Sequence, residues 1–218
     1  MRIITTLILL LAVSCTSIPL REQKAPAKFH AKFMTTQGDF IVEFERQLSP
    51  LAVDRVFQLI KSKYYTDIAI YRVVPNFVAQ FGISNDSLLN VAWKDGVEDE
   101  PVKGKNTMGT LSFARGGQKT RNTQLFINLK SNSPRLDELE YSGVKGFPIV
   151  GKVIGDGMEV VHKLYKDYGE APGRLQRDIR LFGNSVLKEK FPKLDYIKEV
   201  IIIDSDVVFD MLKLKMKN

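Results

Sequence analysis

The stretch YRVVPNFVAQFG, Tyr71 to Gly82, sets a cation, an aromatic ring and an amide close together in Arg72, Phe77 and Gln80. A core strand disfavours Arg72, because a buried charge is costly without a partner. A surface strand disfavours Val73, Val74, Phe77, Val78 and Phe81 so close together. One site that holds a cation, an aromatic and an amide side by side reconciles the two. Two further segments offer the same residue types. GTLSFARGG, Gly109 to Gly117, is a strand end running into a loop with Ala114 and Arg115. NTQLFI, Asn122 to Ile127, adds a second amide, Gln124, and a second aromatic, Phe126.

Nucleophilic and metal chemistry lack their residues. His30 and His162 are the only histidines, and neither H-E-x-x-H nor G-x-S-x-G occurs. Cys15 is the only cysteine, which excludes an intramolecular disulfide and a cysteine metal cluster. Gly155-x-Gly157 lacks the third glycine of a dinucleotide fingerprint and reads as a turn. Arg115-Gly116-Gly117 is a single copy without interleaved aromatics, too little for RNA binding. Glu98, Asp99 and Glu100 read as a solvated acidic loop. The net charge of +7, from 32 Lys+Arg against 25 Asp+Glu, would suit an anionic partner. No long charge run accompanies it, so it reads as a solvated surface and no nucleic-acid partner is expected.

The elements that must position these residues are mostly strands. The chain has 218 residues, 44% apolar, enough for one sizeable domain. From Ala31 the pattern alternates. Lys32–Thr36 and Phe40–Glu45 flank a Gly38 turn and predict a hairpin. Ser49-Pro50 opens a helix, Ser49 as N-cap, with Val53, Val56, Phe57 and Ile60 on one face. Residues 84–105 are polar and irregular. Gly109–Ala114, Gln124–Leu129 and Phe147–Ile154 predict strands, and Met158–Lys166 a second helix. Arg174–Ile197 is helical in pattern, Glu199–Asp204 is a last strand, and 207–218 is a basic tail. Many short strands and two helices predict a mainly β fold, a closed or nearly closed barrel with helical caps, over residues 31–206.

The N-terminal residues predict targeting. Met1-Arg2 precedes an apolar run, Ile3 to Val13, too short to span a bilayer but suited to a signal peptide over residues 1–14. A small residue before Cys15 resembles the bacterial lipoprotein signal, which implies lipidation of Cys15. Residues 15–30 then read as a tether. The expected place is a bacterial cell envelope, anchored to the membrane and facing the periplasm or exterior.

The chemical segments, in order and spacing, resemble the cyclophilin family of peptidyl-prolyl cis–trans isomerases. YRVVPNFVAQFG, GTLSFARGG, NTQLFI and FPIVGKVIGDGMEVV each match a block of that family. The resemblance covers Phe33 to about Tyr168 and the last strand. It implies a closed eight-stranded antiparallel β-barrel capped by two α-helices. A helical insertion over 174–197 lies outside the family pattern. It implies that Arg72 is catalytic, that Phe77, Val78, Phe126 and Leu136 take the proline ring, and that Gln80 and Gln124 contact the substrate backbone. Ala114 and Arg115 match the edge along which the peptide lies, and Phe147 stands at a pocket position. No cofactor is implied, and the chain is expected to act as a monomer. Several positions depart from the pattern. Tyr71 replaces a histidine, Phe81 a glycine, Leu125 a phenylalanine and Phe147 a pocket histidine. Arg135 lies near a position often held by an aromatic, and Arg115 stands where asparagine is usual.

The implied chemistry suits those residue types. Cis and trans forms of an X-Pro bond differ by only ~0.5–1 kcal/mol. The barrier between them is ~18–20 kcal/mol, because twisting destroys amide resonance. In the twisted state the prolyl nitrogen regains a lone pair. A donor placed there binds the transition state better than either ground state. Arg72, pointing from a barrel strand into a surface groove, would supply that donor, with Val73, Val74 and Phe81 divided between core and groove. The rival expectation is a binding module for proline-containing segments with little turnover.

Overall fold

The computed structural model describes residues 19–215. Its first two strands, β1 (Lys28–Thr35) and β2 (Gly38–Glu45), pair antiparallel from Lys28 opposite Glu45 to Thr35 opposite Gly38. Phe40, Val42 and Phe44 are buried and alternate with less buried neighbours, the period of two that a one-sided strand imposes. Opposed rings lock the register. Phe29 stacks on Phe44 at 4.8 Å between centroids, and Phe33 on Phe40 at 5.0 Å.

The tether expected to reach residue 30 ends sooner. Ala25 and Phe29 are buried in the core, and β1 already begins at Lys28. Residues before it dock on the first helix, α1 (Pro50–Lys61), where Gln58 Nε2 donates to the carbonyls of Arg21 and Gln23 at 2.9 Å. Ser49 does not cap α1 as predicted. Its hydroxyl donates to Glu100 at 2.5 Å, and the Glu100 carboxylate accepts from Leu51 N at 2.8 Å and Ala52 N at 3.2 Å. A full negative charge on the first-turn amides out-competes a hydroxyl there. Glu100 is therefore structural, not part of a solvated loop.

The chain continues through β3 (Ile68–Ala69), β4 (Arg72–Val73), β5 (Val78–Phe81), α2 (Ser87–Ala92), β6 (Thr110–Phe113) and β7 (Leu125–Asn128). Next come α3 (Arg135–Glu138), a two-stranded hairpin of β8 (Glu140–Tyr141) and β9 (Val144–Lys145), then β10 (Ile149–Ile154) and α4 (Gly157–His162). A 3-10 turn, Pro172–Leu175, leads into α5 (Gln176–Phe182), α6 (Ser185–Lys190), β11 (Tyr196–Ile203) and α7 (Ser205–Lys215). Nine strands make one curled antiparallel sheet, ordered β3-β11-β1-β2-β10-β6-β7-β5-β4. The ends of that order, β3 and β4, are parts of one segment separated by Ile70 and Tyr71. Its first part pairs with β11 and its second with β5. The closed eight-stranded barrel is thus present in outline, but the ladder is interrupted there and the backbone joins the ring.

The two helical caps sit at opposite ends of the β1–β2 hairpin. Phe57 of α1 meets Phe29 edge-on at 5.3 Å near one end. Val160 of α4 covers Gly38 at the other. Three elements differ from the sequence expectation. Helix α2 lies in the stretch read as irregular, started by Asp86, whose carboxylate accepts from Leu88 N at 2.8 Å. Strand β11 begins at Tyr196, so Tyr196 and Ile197 are not helical; they pair with Ala69 and Ile68. The tail forms α7, held by buried Val208 and by His30, whose Nδ1 lies 3.2 Å from Ser205 Oγ. Residues 216–218 lie outside the described residues, as do the signal segment and Cys15.

The helical insertion makes a second apolar cluster on the outside of the barrel. Ile179 and Leu187 close over Tyr71, Ala69 and Ile83. Tyr71, in the break between β3 and β4, is buried there because the insertion covers it.

Candidate functional site

Cross-strand register builds the site. Arg72 of β4 lies opposite Gln80 of β5, Gln80 opposite Phe126 of β7, and Phe126 opposite Ser112 of β6. Residues paired across antiparallel strands share a face. The next row, Val73, Ala79, Ile127 and Leu111, therefore shares the opposite face, and all four are in the main core. Phe81, Leu125 and Phe113 are core as well. Val73 and Phe81 thus both fall on the core side, which settles why one arginine interrupts an apolar run.

The Arg72 row opens on a groove of about 610 Å³. Its apolar wall is a cluster separate from the core: buried Val78, Phe126 and Leu136, with Phe77, Ala114 and Phe147 packed against them. Phe126 and Phe147 meet edge-to-face at 5.7 Å. Such a wall fits a small apolar ring. Buried amides hold it from behind. Asn132 Nδ2 donates to the Phe77 carbonyl at 3.0 Å, and Asn106 Nδ2 to the Phe147 carbonyl at 2.9 Å. Asn106 also donates twice to Asp137 of α3, both at 2.8 Å, which fixes Leu136 beside them. Burial would raise the Asp137 carboxyl, but hydrogen bonds from Ser133 and Asn106 outweigh it and hold the group below its ordinary range.

The polar side of the groove is a chain of donors. The Tyr71 hydroxyl donates to Gln124 Oε1, and Gln80 Nε2 donates to the same oxygen at 3.1 Å. Arg72 Nη1 donates to Gln80 Oε1 at 3.0 Å. Burial pushes the Tyr71 hydroxyl well up, so it remains a donor. Tyr71 therefore orients Gln124, and through Gln80 it steadies Arg72. On its other side Arg72 meets Glu170, Nε to Oε2 at 2.6 Å and Nη2 to Oε1 at 2.7 Å. This pair holds the Glu170 carboxyl below its ordinary range. A guanidinium carries five N–H groups, and these contacts use three. One N–H on each terminal nitrogen remains to meet a ligand.

Nine of the ten predicted site residues other than Cys15 line this one groove. Gln124 lines an adjoining hollow of about 340 Å³ that shares Gln80, Ala114 and Arg115 with it. Arg115 sits in place, but its guanidinium is committed elsewhere. It donates to the carbonyls of Tyr141, Val144 and Gly146 and stacks over Phe147 at 4.5 Å. Its side chain fastens the β8–β9 hairpin to the groove, which asparagine at this position is too short to do.

Sequence reasoning missed what the segment from Glu170 to Gln176 contributes. Glu170, Gly173, Arg174 and Gln176 all line the groove. Gly173 lets the turn lie against Arg72, since a Cβ there would come within 3.2 Å of Arg72 Cδ. No motif marks these residues, because they lie outside the four segments that revealed the rest. The Asn106, Asn128 and Asn132 network was also missed. Asn128 Nδ2 donates to Asn106 Oδ1 at 3.1 Å and Asn132 Nδ2 to Asn128 Oδ1 at 2.7 Å, but lone asparagines, one ending β7 and two in loops, carry no periodic signal.

Comparison with known proteins bears on the family and the fold. Residues 30–184 match the profile of the family described as cyclophilin type peptidyl-prolyl cis-trans isomerase/CLD. A peptidyl-prolyl cis-trans isomerase of Acinetobacter baylyi is 29% identical over 146 residues, 64% of this chain and 73% of that protein. The peptidyl-prolyl cis-trans isomerase-like 2 of Gibberella zeae is 29% identical over 150 residues, 66% of this chain. The chain spans only 24% of that relative's length. A crystal structure of a cyclophilin type isomerase from Cryptosporidium parvum shares the fold, with a TM-score of 0.59 and 20% identity, over 82% of this chain and 99% of that one.

Proposed function

The chain belongs to the cyclophilin-type peptidyl-prolyl cis–trans isomerase family, and we propose that it catalyses rotation about X-Pro bonds in exported or envelope proteins and so assists their folding. One observation carries the activity: Arg72 keeps free N–H groups while it lies over the Phe77 ring of the apolar wall, 5.6 Å from its centroid. A proline seated against Phe77, Phe126 and Leu136 brings its nitrogen to that guanidinium. Twisting the bond pyramidalises the nitrogen and exposes its lone pair. Arg72 then donates to an acceptor that neither planar form presents, which lowers the barrier without lowering the ground state. Gln80 and Gln124 hold the flanking backbone while the preceding carbonyl turns. No bond is made or broken and no proton is transferred.

The cellular setting rests on sequence alone. The apolar segment before Cys15 supports export and lipid anchoring at an envelope membrane, the setting in which unfolded exported chains would be met. The catalytically weak binding module is the second reading. It is favoured by one contact, the bidentate Glu170 pair that already occupies one edge of Arg72. Exchange NMR on a short Ala-Pro peptide with the full-length chain separates the two readings. Uncatalysed exchange takes roughly 10–100 s. Exchange faster than one per second at catalytic protein concentration supports the isomerase. Saturable binding with the uncatalysed rate supports the module.

A further inference from the structure

Charge in the groove is unbalanced. Arg72, Arg115, Arg135 and Arg174 line it, against one carboxylate, Glu170. That leaves three uncompensated positive charges, four less one, around a pocket shaped for a neutral ring. Among the described residues, Arg72 alone of the four has a carboxylate within ion-pair distance. Arg115 cannot turn away, because backbone carbonyls hold its guanidinium. The Arg135 guanidinium lies over the Phe77 ring at 5.3 Å from the centroid. A cation is thus placed directly on the wall against which the proline would rest. Arg174 stands four residues after Glu170, on the turn that covers Arg72. Its charge helps to lower the Glu170 carboxyl, after the larger effect of Arg72. The groove therefore already binds one carboxylate, that of the chain itself, and offers further cations for another.

We propose that the groove prefers proline segments carrying a carboxylate side chain beside the proline, recognised by Arg135 and Arg174. This rests on the isomerase reading and names its substrate class. A cleft of one sign with low-dielectric walls concentrates the opposite charge. An exposed ion pair contributes modestly, so two such pairs give about a 3–10-fold preference that falls as salt rises. Glu170 opposes the preference, since it is the one negative charge facing the incoming acid.

Exchange NMR with the full-length chain tests this on peptides identical except for Glu, Gln or Lys beside the proline, placed before it in one set and after it in another. The expected result is a KM about 3–10-fold lower for Glu than for its isostere Gln in at least one set, with Lys the weakest. The Glu/Gln ratio should collapse toward one in the double variant Arg135→Gln/Arg174→Gln and widen in Glu170→Gln. Equal KM for Glu and Gln in both sets, with both peptides accelerated, overturns the preference and leaves the isomerase standing. A preference that persists in the double variant overturns the assignment to these two arginines. Failure to accelerate any peptide overturns the isomerase reading, and the substrate class falls with it.

Discussion

Arg72 and Arg121 carry the same guanidinium into opposite surroundings. The Arg121 side chain is 1% exposed, where Nη1 donates to Ser49 Oγ at 3.2 Å and Nη2 to the Glu98 carbonyl, with Glu100 Oε2 at 3.3 Å. Two of those partners, Ser49 and Glu100, are the groups that start α1. Arg72 is 20% exposed, and its carboxylate partner Glu170 is 54% exposed. One arginine closes a buried charge cluster and ties a loop to a helix. The other stands at a groove with N–H groups to spare. The lesson is that neutralisation and solvent access decide what a cation does. Charge paired with carboxylates in the interior serves the fold, and charge left partly unmatched at a surface serves a ligand.

The largest way to break this contrast is Arg121→Ala. Removing one member of a buried ion cluster strands Glu100 and should cost about 3–5 kcal/mol, read from urea unfolding. A loss under ~1 kcal/mol would put Arg121 in the same class as an exposed pair. Next in size is Asn106→Ala. It leaves the Phe147 carbonyl and Asp137 without their donor, so about 1–3 kcal/mol of stability should go. Peptide affinity should fall with it, because the groove wall loses its backing. Unchanged affinity would mean that the amide network does not shape the wall.

Smaller still is Glu170→Ala, where loss of a half-exposed pair should move stability by less than ~1 kcal/mol. The smallest effect is on pH. Asp137 and Glu170 are both lowered in the folded protein, so their contributions are fully present above the ordinary carboxylate values of 3.8 and 4.5 and are lost as pH falls through the lower folded values. Stability attributable to them should be nearly flat above ~pH 5 and decline progressively as pH falls below it. A change in the unfolding midpoint of wild type relative to Glu170→Ala between pH 5 and pH 8 would contradict the assignment.

Legibility in the sequence divided along the same line. The Arg72 row was readable because a cation, amides and aromatics recur in short segments whose order carries a family pattern. Strands such as Phe40–Glu45 were readable from their alternation. Arg121 was not, although it lies beside Asn122. Its role depends on Glu100 folding back onto Ser49 and on the Glu98 carbonyl meeting its guanidinium, and nothing local shows that approach. Ser49 misled because the local rule for helix starts cannot see a carboxylate from fifty residues away. The tether boundary misled because Ala25 and Phe29 find their core contacts only through tertiary packing. Glu170 was out of reach because its position over Arg72 is set by the turn before α5 and by Gly173, neither of which falls in a segment with a recognisable motif.

The central claim is that the Arg72 guanidinium acts on the twisted X-Pro bond, and Arg72→Ala tests it most directly. Exchange NMR would give the turnover of an Ala-Pro peptide, with peptide binding and the unfolding midpoint measured on the same samples. The account predicts a fall in kcat/KM of about 10²–10³-fold carried mainly by kcat, with binding largely kept and the midpoint nearly unchanged. A variant that is folded, binds the peptide and turns it over at the wild-type rate would contradict it.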